Sequence, residues 1–404
     1  VPGWHEATKE LQQQGRVQMV GIIQEQHPDR CRLFMQWKQM GWPVLVDSLN
    51  LLEVTAVPIT LAVDEYGIIR QAKMPLTDAE KLPETFLNQS FESPQGQSAE
   101  PAAQPVAPDL SRLKQAAEQG DLGALRDYAG AAVMWGGPES LGEAINAYER
   151  ALALEPEHGP THFRLGVAFR KRYDSPQRAE TDFAKAVGFW KSALDLDPNQ
   201  YIWRRRIEQY GPRLDKPYSF YDWVRTAREE IQARGERPAE LSVEPGGAEF
   251  AYPQETFAAA DGGNEPDPQA RIHRDDGYFV TVETTVVPPV VSPGETARVH
   301  LVFRPNEANK AHWNNEVDGL RLWVSPPEGW QADQRSWELA NPPTVVSQEV
   351  RRVEFEIRTP ESAPPVPVSV PVYGLYYVCE DVQGTCLYRR QDVSVTVPIR
   401  PGAD

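Results

Sequence analysis

Residues 376–399 read YYVCEDVQGTCLYRRQDVSVTVPI. Two strand-like runs, GLYYVC ending at Cys379 and CLYRRQDVSV beginning at Cys386, flank a six-residue loop that holds Gly384. The layout predicts a hairpin with the cysteines near its mouth, where the geometry a disulfide needs is within reach. The residues by themselves leave two chemistries open: a structural bond closing a short loop, or a bond that exchanges with partner thiols. Metal binding through the pair ranks third, because no third ligand is adjacent.

Around this hairpin the chain reads as strands punctuated by Pro and Gly. They are expected at Tyr278–Val287, Thr296–Phe303, Leu320–Val324, Arg352–Ile357, Val372–Val378 and Val393–Val397. Period-two alternation is plain in RVHLVF and VEFEI, and VSPGETARV is a turn running into a strand. Spacing and turn signals predict an immunoglobulin-like sandwich over 271–404. Trp323, Trp330 and Trp337 are expected in its core and under its loops. In AHWNNEV (Ala311–Val317), His312, Asn314, Asn315 and Glu316 can each hold a cation or hydrogen-bond a loop. With no second cluster of such residues, the expectation is a polar Ω-like loop anchored by Trp313.

The hairpin, its cysteine spacing and the aromatic residues beside it resemble the N-terminal periplasmic domain of the thiol–disulfide interchange protein DsbD. The resemblance implies that Cys379 and Cys386 are an exchanging redox pair, with Tyr377 and Tyr388 shielding the sulfurs. It also implies a thioredoxin-like redox partner, a bacterial source and a periplasmic or extracellular location. Glu380 and Asp381 beside the pair would raise the thiol pKa by charge repulsion, which disfavours the thiolate and argues against a strongly oxidising site. Exchange through Cys379 predicts that Cys379→Ala loses mixed-disulfide trapping.

Residues 109–233 are helical by pattern and hold a repeat. Ala144, Tyr148, Ala151 and Pro156 share their spacing with Ala186, Trp190, Ala193 and Pro198. The small residues let a neighbouring helix approach, the aromatic fills the gap, and the proline ends the helix. This resembles the second helix of the tetratricopeptide repeat, and Leu165, Gly166 and Phe169 match the first. The offset of 42 residues exceeds the family's period of about 34, and KRYDSPQR would carry the excess. The resemblance implies an array of helical hairpins that docks a protein partner, with a rigid spacer as the alternative. Arg204–Gln209 is too basic for the next repeat helix and is expected to act as a cap. His158 and His162 are separated by Gly159 and Pro160, which break the helical face that a metal pair needs, so no metal site is expected there.

Residues 1–87 mix helix and strand patterns. A helix is expected at Trp4–Gln14, a strand at Val17–Ile23, a helix from Pro28 to Met40, and strands at Pro43–Asp47, Val57–Val63 and Ile68–Arg70. This order, with AVPIT at Ala56–Thr60 and the DEYG turn at Asp64–Gly67, resembles the thioredoxin fold of the TlpA and redoxin type. In that family the proline is cis and faces the active-site cysteines, which implies a cis Val57–Pro58 bond and a binding role for Pro58. The first strand of that fold and its Cys-x-x-Cys are missing, since no cysteine precedes Cys31. Cys31 is expected to be a free, buried packing residue on a helix face with Phe34, Met35 and Lys38. The chain opens at Val1, and three explanations follow: an upstream segment was removed, a partner strand completes the sheet, or the domain is redox-inactive. In each case some segment or subunit should cover the strand Val17–Ile23, because natural sheets seldom leave an edge bare.

Composition bounds these readings. The chain has 404 residues and a net charge of −17, which repels phosphate backbones and sets nucleic acid aside as a partner. No apolar run reaches the roughly 18–20 residues of a membrane span, so the chain is not expected to be membrane-embedded. Residues 88–108, rich in Gln, Ser, Ala and Pro, read as a linker. Residues 234–270 read as a second connector that Phe250, Tyr252 and Phe257 could pin to a surface. The expected fold class is multidomain α+β: a partial thioredoxin-like α/β domain at 1–87, a tetratricopeptide-type helical array at 109–233 and an immunoglobulin-like β-sandwich at 271–404, with no cofactor. The leading function is extracytoplasmic thiol–disulfide exchange, or handling of redox partners, with the helical array as a docking module. The alternative is a non-enzymatic adaptor or assembly subunit with an inert thioredoxin-like domain and a structural disulfide.

Overall fold

The computed structural model describes residues 2–92, 107–214, 223–246, 249, 257, 263–380 and 384–401. It mixes helices with several antiparallel sheets, a multidomain α+β architecture. The described residues fall into two compact units. The first lies within Val1–Lys171, Ser192–Arg206 and Tyr221–Glu244, the second within Arg172–Lys191, Ile207–Phe220 and Pro245–Asp404. The helical stretch 109–233 therefore contributes to both. Phe250, Tyr252 and most of the 88–108 stretch lie outside the described residues.

The chain begins with α1 (Pro2–Gln13), β1 (Gly21–Ile23), α2 (Asp29–Lys38), β2 (Val44–Val46), β3 (Leu61–Val63) and β4 (Ile69–Ala72). The helices α3 (Leu110–Glu118), α4 (Leu122–Trp135), α5 (Leu141–Leu154), α6 (Gly159–Tyr173), α7 (Asp182–Leu196), α8 (Tyr201–Glu208) and α9 (Trp223–Ala233) follow. The order of the first elements matches the sequence expectation, but β1, β2 and β3 are shorter. β1 pairs with β2 in parallel and β3 pairs with β4 antiparallel, and among the described residues these two pairs do not join into one sheet. The Val57–Pro58 peptide is cis, as expected.

One expectation for this unit needs correction. Cys31 is a free thiol but only half-buried. The inward face of α2 is the one carrying Arg30 and Leu33, and Leu33 packs against Val224, Ala227 and Ile231 of α9. Burial, and then the charge of Glu25, pushes the Cys31 thiol up. Most of Arg204–Gln209 belongs to the helix α8. Arg206 there is 3% exposed and donates to Gln26 Oε1 and to the carbonyls of Gln24 and Ser48.

The repeat residues point inward: Ala144, Tyr148, Ala151, Ala186, Trp190 and Ala193 are all fully buried. The starts of α3 and α4 are set by side-chain caps. Asp121 accepts a hydrogen bond from the Ala124 amide at 2.9 Å, and Asp109 does the same for Arg112. Asp121→Ala should destabilise the first unit by about 1 kcal/mol in thermal or urea unfolding. An unchanged midpoint would mean that water satisfies the freed amide equally well.

The second unit is built on β5 (Val280–Val287), β6 (Thr296–Pro305), β7 (Ala311–Asn314), β8 (Arg321–Val324), β9 (Gln331–Ala332), β10 (Ser336–Glu338), β11 (Val346–Ser347), β12 (Arg351–Arg358), β13 (Val368–Glu380) and β14 (Cys386–Val397). One sheet has the order β5-β6-β12-β9; the other runs β10-β8-β13-β7-β11, with β14 paired to β13. Their inner faces share one core. Val299, Leu301, Phe303, Phe355 and Ile357 come from the first sheet, and Trp313, Leu322, Val324, Tyr376, Val378 and Val395 from the second.

The outer face of the first sheet is also covered, which explains why β6 is buried on both sides. Residues 172–191 and 207–214 belong to this unit and pack there. Phe183 lies edge-on to His300 at 5.2 Å, and the His300 Nε2–H donates to the Tyr210 carbonyl at 2.7 Å. Register places His300 opposite Glu354 and Arg298 opposite Glu356. Burial alone would raise Glu354, but the charges of and hydrogen bonds from His300 and Arg298 hold its carboxyl well below the usual range. Phe257 lies under the Arg358 guanidinium at 4.2 Å, as a pinned connector residue would.

Candidate functional site

β13 and β14 pair in unbroken register from Val368 opposite Val397 to Cys379 opposite Cys386. The two cysteines are joined by a disulfide. On its other edge β13 pairs with β8 through Val372–Leu375 and with β7 through Val378–Glu380. Side chains alternate along a strand. Tyr376 and Val378 therefore enter the core beside Trp313, while Tyr373, Leu375, Tyr377 and Cys379 stand on the opposite face. The disulfide thus lies outside the hydrophobic core, at one end of the sheet. Its two halves differ: Cys379 is 3% exposed, whereas Cys386 is exposed.

Tyr377 and Tyr388 are directly opposite each other, two residues along from the cysteines on the same face. Their rings stack with centroids 4.3 Å apart. Burial, and then the neighbouring Tyr377, pushes the Tyr388 hydroxyl up. Farther along, Trp323, Tyr373 and Leu375 form a small apolar cluster with Ile272 and Tyr388. Arg390 lies 3.7 Å above the Tyr373 ring and is held by Asp267 and Asp392. Trp330 and Trp337 pack with the main core as expected, but Trp323 faces away from it.

The AHWNNEV stretch is not an Ω-like loop. Ala311–Asn314 is the strand β7, and only the residues after it turn. Trp313 does anchor the stretch: it is fully buried and its Nε1–H donates to the Glu349 carbonyl at 2.8 Å. Asn315 donates to the Thr344 carbonyl and the Ser347 hydroxyl and accepts from Arg351. His312, next to Trp313, takes the opposite face and stands directly across from Cys379. The result is one row over three strands, His312–Cys379–Cys386. His312 is 8% exposed, and among the described residues its ring has no hydrogen-bond partner. Sequence reading singled out His312 but not this alignment, because β7 and β13 are neighbours in space and far apart in the chain.

The remaining expected residues are placed as follows. Glu380 is exposed, and Asp381 lies outside the described residues. Pro58 is exposed and belongs to the first unit, while both bonded cysteines belong to the second. In the first unit, α3, α4 and α5 frame a groove of about 320 Å³ lined by Lys114, Glu118, Tyr128, Glu143, Asn146 and Arg150. Glu143 accepts from both Lys114 at 2.7 Å and Tyr128 at 2.5 Å, and these two bonds hold its carboxyl below the usual range. Among the described residues no helix is long and apolar enough to cross a membrane.

No family model and no curated protein matches this chain. Among solved structures, it is similar to AvmM, which catalyzes macrocyclization in alchivemycin A biosynthesis. That match has 15% identity and a TM-score of 0.20, and covers 33% of this chain and 97% of AvmM. It is also similar to the sporulation control protein Spo0M from Bacillus subtilis, at 15% identity and a TM-score of 0.18, over 30% of this chain and 49% of Spo0M.

Proposed function

We propose that this protein exchanges disulfides with partner thiols through Cys379–Cys386, outside the cytoplasm, and that its helical middle docks a protein partner. The observation that carries this reading is the placement of the bond. It lies off the core face of a sheet, with one cysteine exposed and the other buried. β13 and β14 are already aligned along their length by paired backbone. As a staple, the bond would add no more than the closure entropy of a short loop, about 2–3 kcal/mol. An exposed sulfur beside a buried one suits exchange, because an incoming thiolate can attack one and expel the other.

The asymmetry transfers the attacked role from Cys379 to Cys386. In the full chain, Cys379→Ser should form a mixed disulfide with oxidised glutathione at Cys386, read by intact mass. Cys386→Ser should react more slowly by an order of magnitude or more, since burial restrains the remaining thiol. A disulfide that resists dithiothreitol under native conditions, with neither variant trapping glutathione, would leave the bond as a structural staple.

The adaptor reading draws on the first unit. Its sole cysteine, Cys31, is half-buried with a raised thiol pKa, which suits packing and not exchange. β1 pairs only with β2 among the described residues, and Ile22 and Leu45 are 44% and 57% exposed. A thioredoxin-like remnant completed by a strand from elsewhere accounts for both features. In that reading the first unit and the helical groove hold the partner.

A further inference from the structure

We infer that His312 is the proton donor to Cys379 and the charge partner of its thiolate when the disulfide opens. This rests on the exchange reading above and assigns a residue to it. Residues directly opposite on antiparallel strands carry side chains on the same face, with Cβ atoms about 4.5–5.5 Å apart. His312 stands in that relation to Cys379, which stands in the same relation to Cys386. His312 is largely buried, and its ring has no hydrogen-bond partner among the described residues. Opening the disulfide would leave a sulfur anion directly across from that ring.

The chemistry runs as follows. A thiolate of a dithiol partner attacks Sγ of the exposed Cys386. A new S–S bond forms there as the Cys379–Cys386 bond breaks, and its electron pair leaves on Cys379 Sγ. Cys379 is 3% exposed, and burial penalises an anion at that sulfur. The imidazolium of His312 offsets the penalty with its charge and then transfers its proton to the sulfur. The partner's second thiolate attacks its own sulfur in the mixed disulfide and releases Cys386 as a thiolate, which water protonates. Two electrons pass from the partner, now a disulfide, to this pair, now two thiols. Leaving groups of lower pKa depart faster, so the gain falls on the first step.

Other titratable groups border the row. Tyr377 on β13 and Tyr388 on β14 share its face, Glu380 follows Cys379 and alternates to the other face, and Lys310 precedes β7. β11, on the far side of β7, contributes the uncharged Val346 and Ser347.

The test uses the full chain and two readouts. First, the rate of disulfide reduction by dithiothreitol is compared for the native protein and His312→Gln across pH, as a ratio that cancels ionisation of the attacking thiol. The expected loss is about 100-fold at the acid end of the range and smaller at the alkaline end. Second, Cys386→Ser leaves Cys379 as a lone thiol with His312 in place, and its thiolate absorbance is titrated. The expected midpoint lies below the ordinary thiol value of about 8.5, whereas a buried thiol with no cation beside it would lie above. Equal rates at every pH, or a Cys379 midpoint above that value, overturn the role of His312 while glutathione trapping keeps the exchange reading alive. A native disulfide that is not reduced at all overturns both.

Discussion

Arg298→Met should destabilise the second unit by about 3–5 kcal/mol, the range for removing one partner of a buried ion pair. Arg298 Nε donates to Glu354 Oε2 at 3.0 Å and Nη1 donates to Glu356 Oε1 at 3.4 Å. Glu356 is 2% exposed, and it also accepts from the Arg213 amide at 2.6 Å. Asp333 stands beside these groups: burial and the charge of Glu356 push its carboxyl up, and the Arg298 guanidinium works against that rise. Without the guanidinium, buried carboxylates face one another under a covering helical segment, and methionine replaces only the apolar stem. Urea unfolding followed by tryptophan fluorescence reads the change. A loss below about 1 kcal/mol would show that water or protonation compensates. Replacing Arg298, Glu354 and Glu356 together by apolar residues should recover much of the loss, because well-packed apolar groups match buried ion pairs in stability.

Trp313→Ala should cost about 3–5 kcal/mol, the range for truncating a fully buried large aromatic. The indole meets Tyr376 edge-on at 5.7 Å, lies under the Arg351 guanidinium at 4.3 Å and donates to the Glu349 carbonyl. Truncation removes the packing, opens a cavity in the sandwich core and leaves a carbonyl without its donor. The same urea titration reads it. A loss below about 2 kcal/mol would mean that the site collapses around alanine. Because β7 is four residues long, Trp313 is also what fixes the strand that presents His312.

Legibility in the sequence followed the range of the interactions involved. Alternation in RVHLVF and VEFEI located β6 and β12, and the same alternation places Arg298, His300, Glu354 and Glu356 on one outward face. Their burial was not readable, because it depends on residues 172–191 and 207–214, which helical spacing alone assigns to an array. The hairpin of β13 and β14 is local, so its cysteine pair was readable in full. His312 was named but misplaced, since pairing between β7 and β13 spans more than 60 residues of sequence. Cys31 was expected deeper than it lies because α2 buries Leu33 against α9 and leaves the cysteine beside that contact half-buried. The repeat spacing in α5 and α7 identified interior residues correctly, since small and aromatic positions are set by helix contacts close by.

The interleaving of the two units sets an order of events at synthesis. Phe183 and Tyr210 leave the ribosome long before β6 and β12, the strands they cover, and β12 ends at Arg358. At roughly 5–20 residues per second, Tyr210 waits on the order of 10–30 s for that sheet to be completed. During this interval the first unit gains its last helix, α9, while residues 172–191 and 207–214 remain without the sheet they cover. An exposed Phe183 and Tyr210 are then the groups a chaperone would meet on the emerging chain.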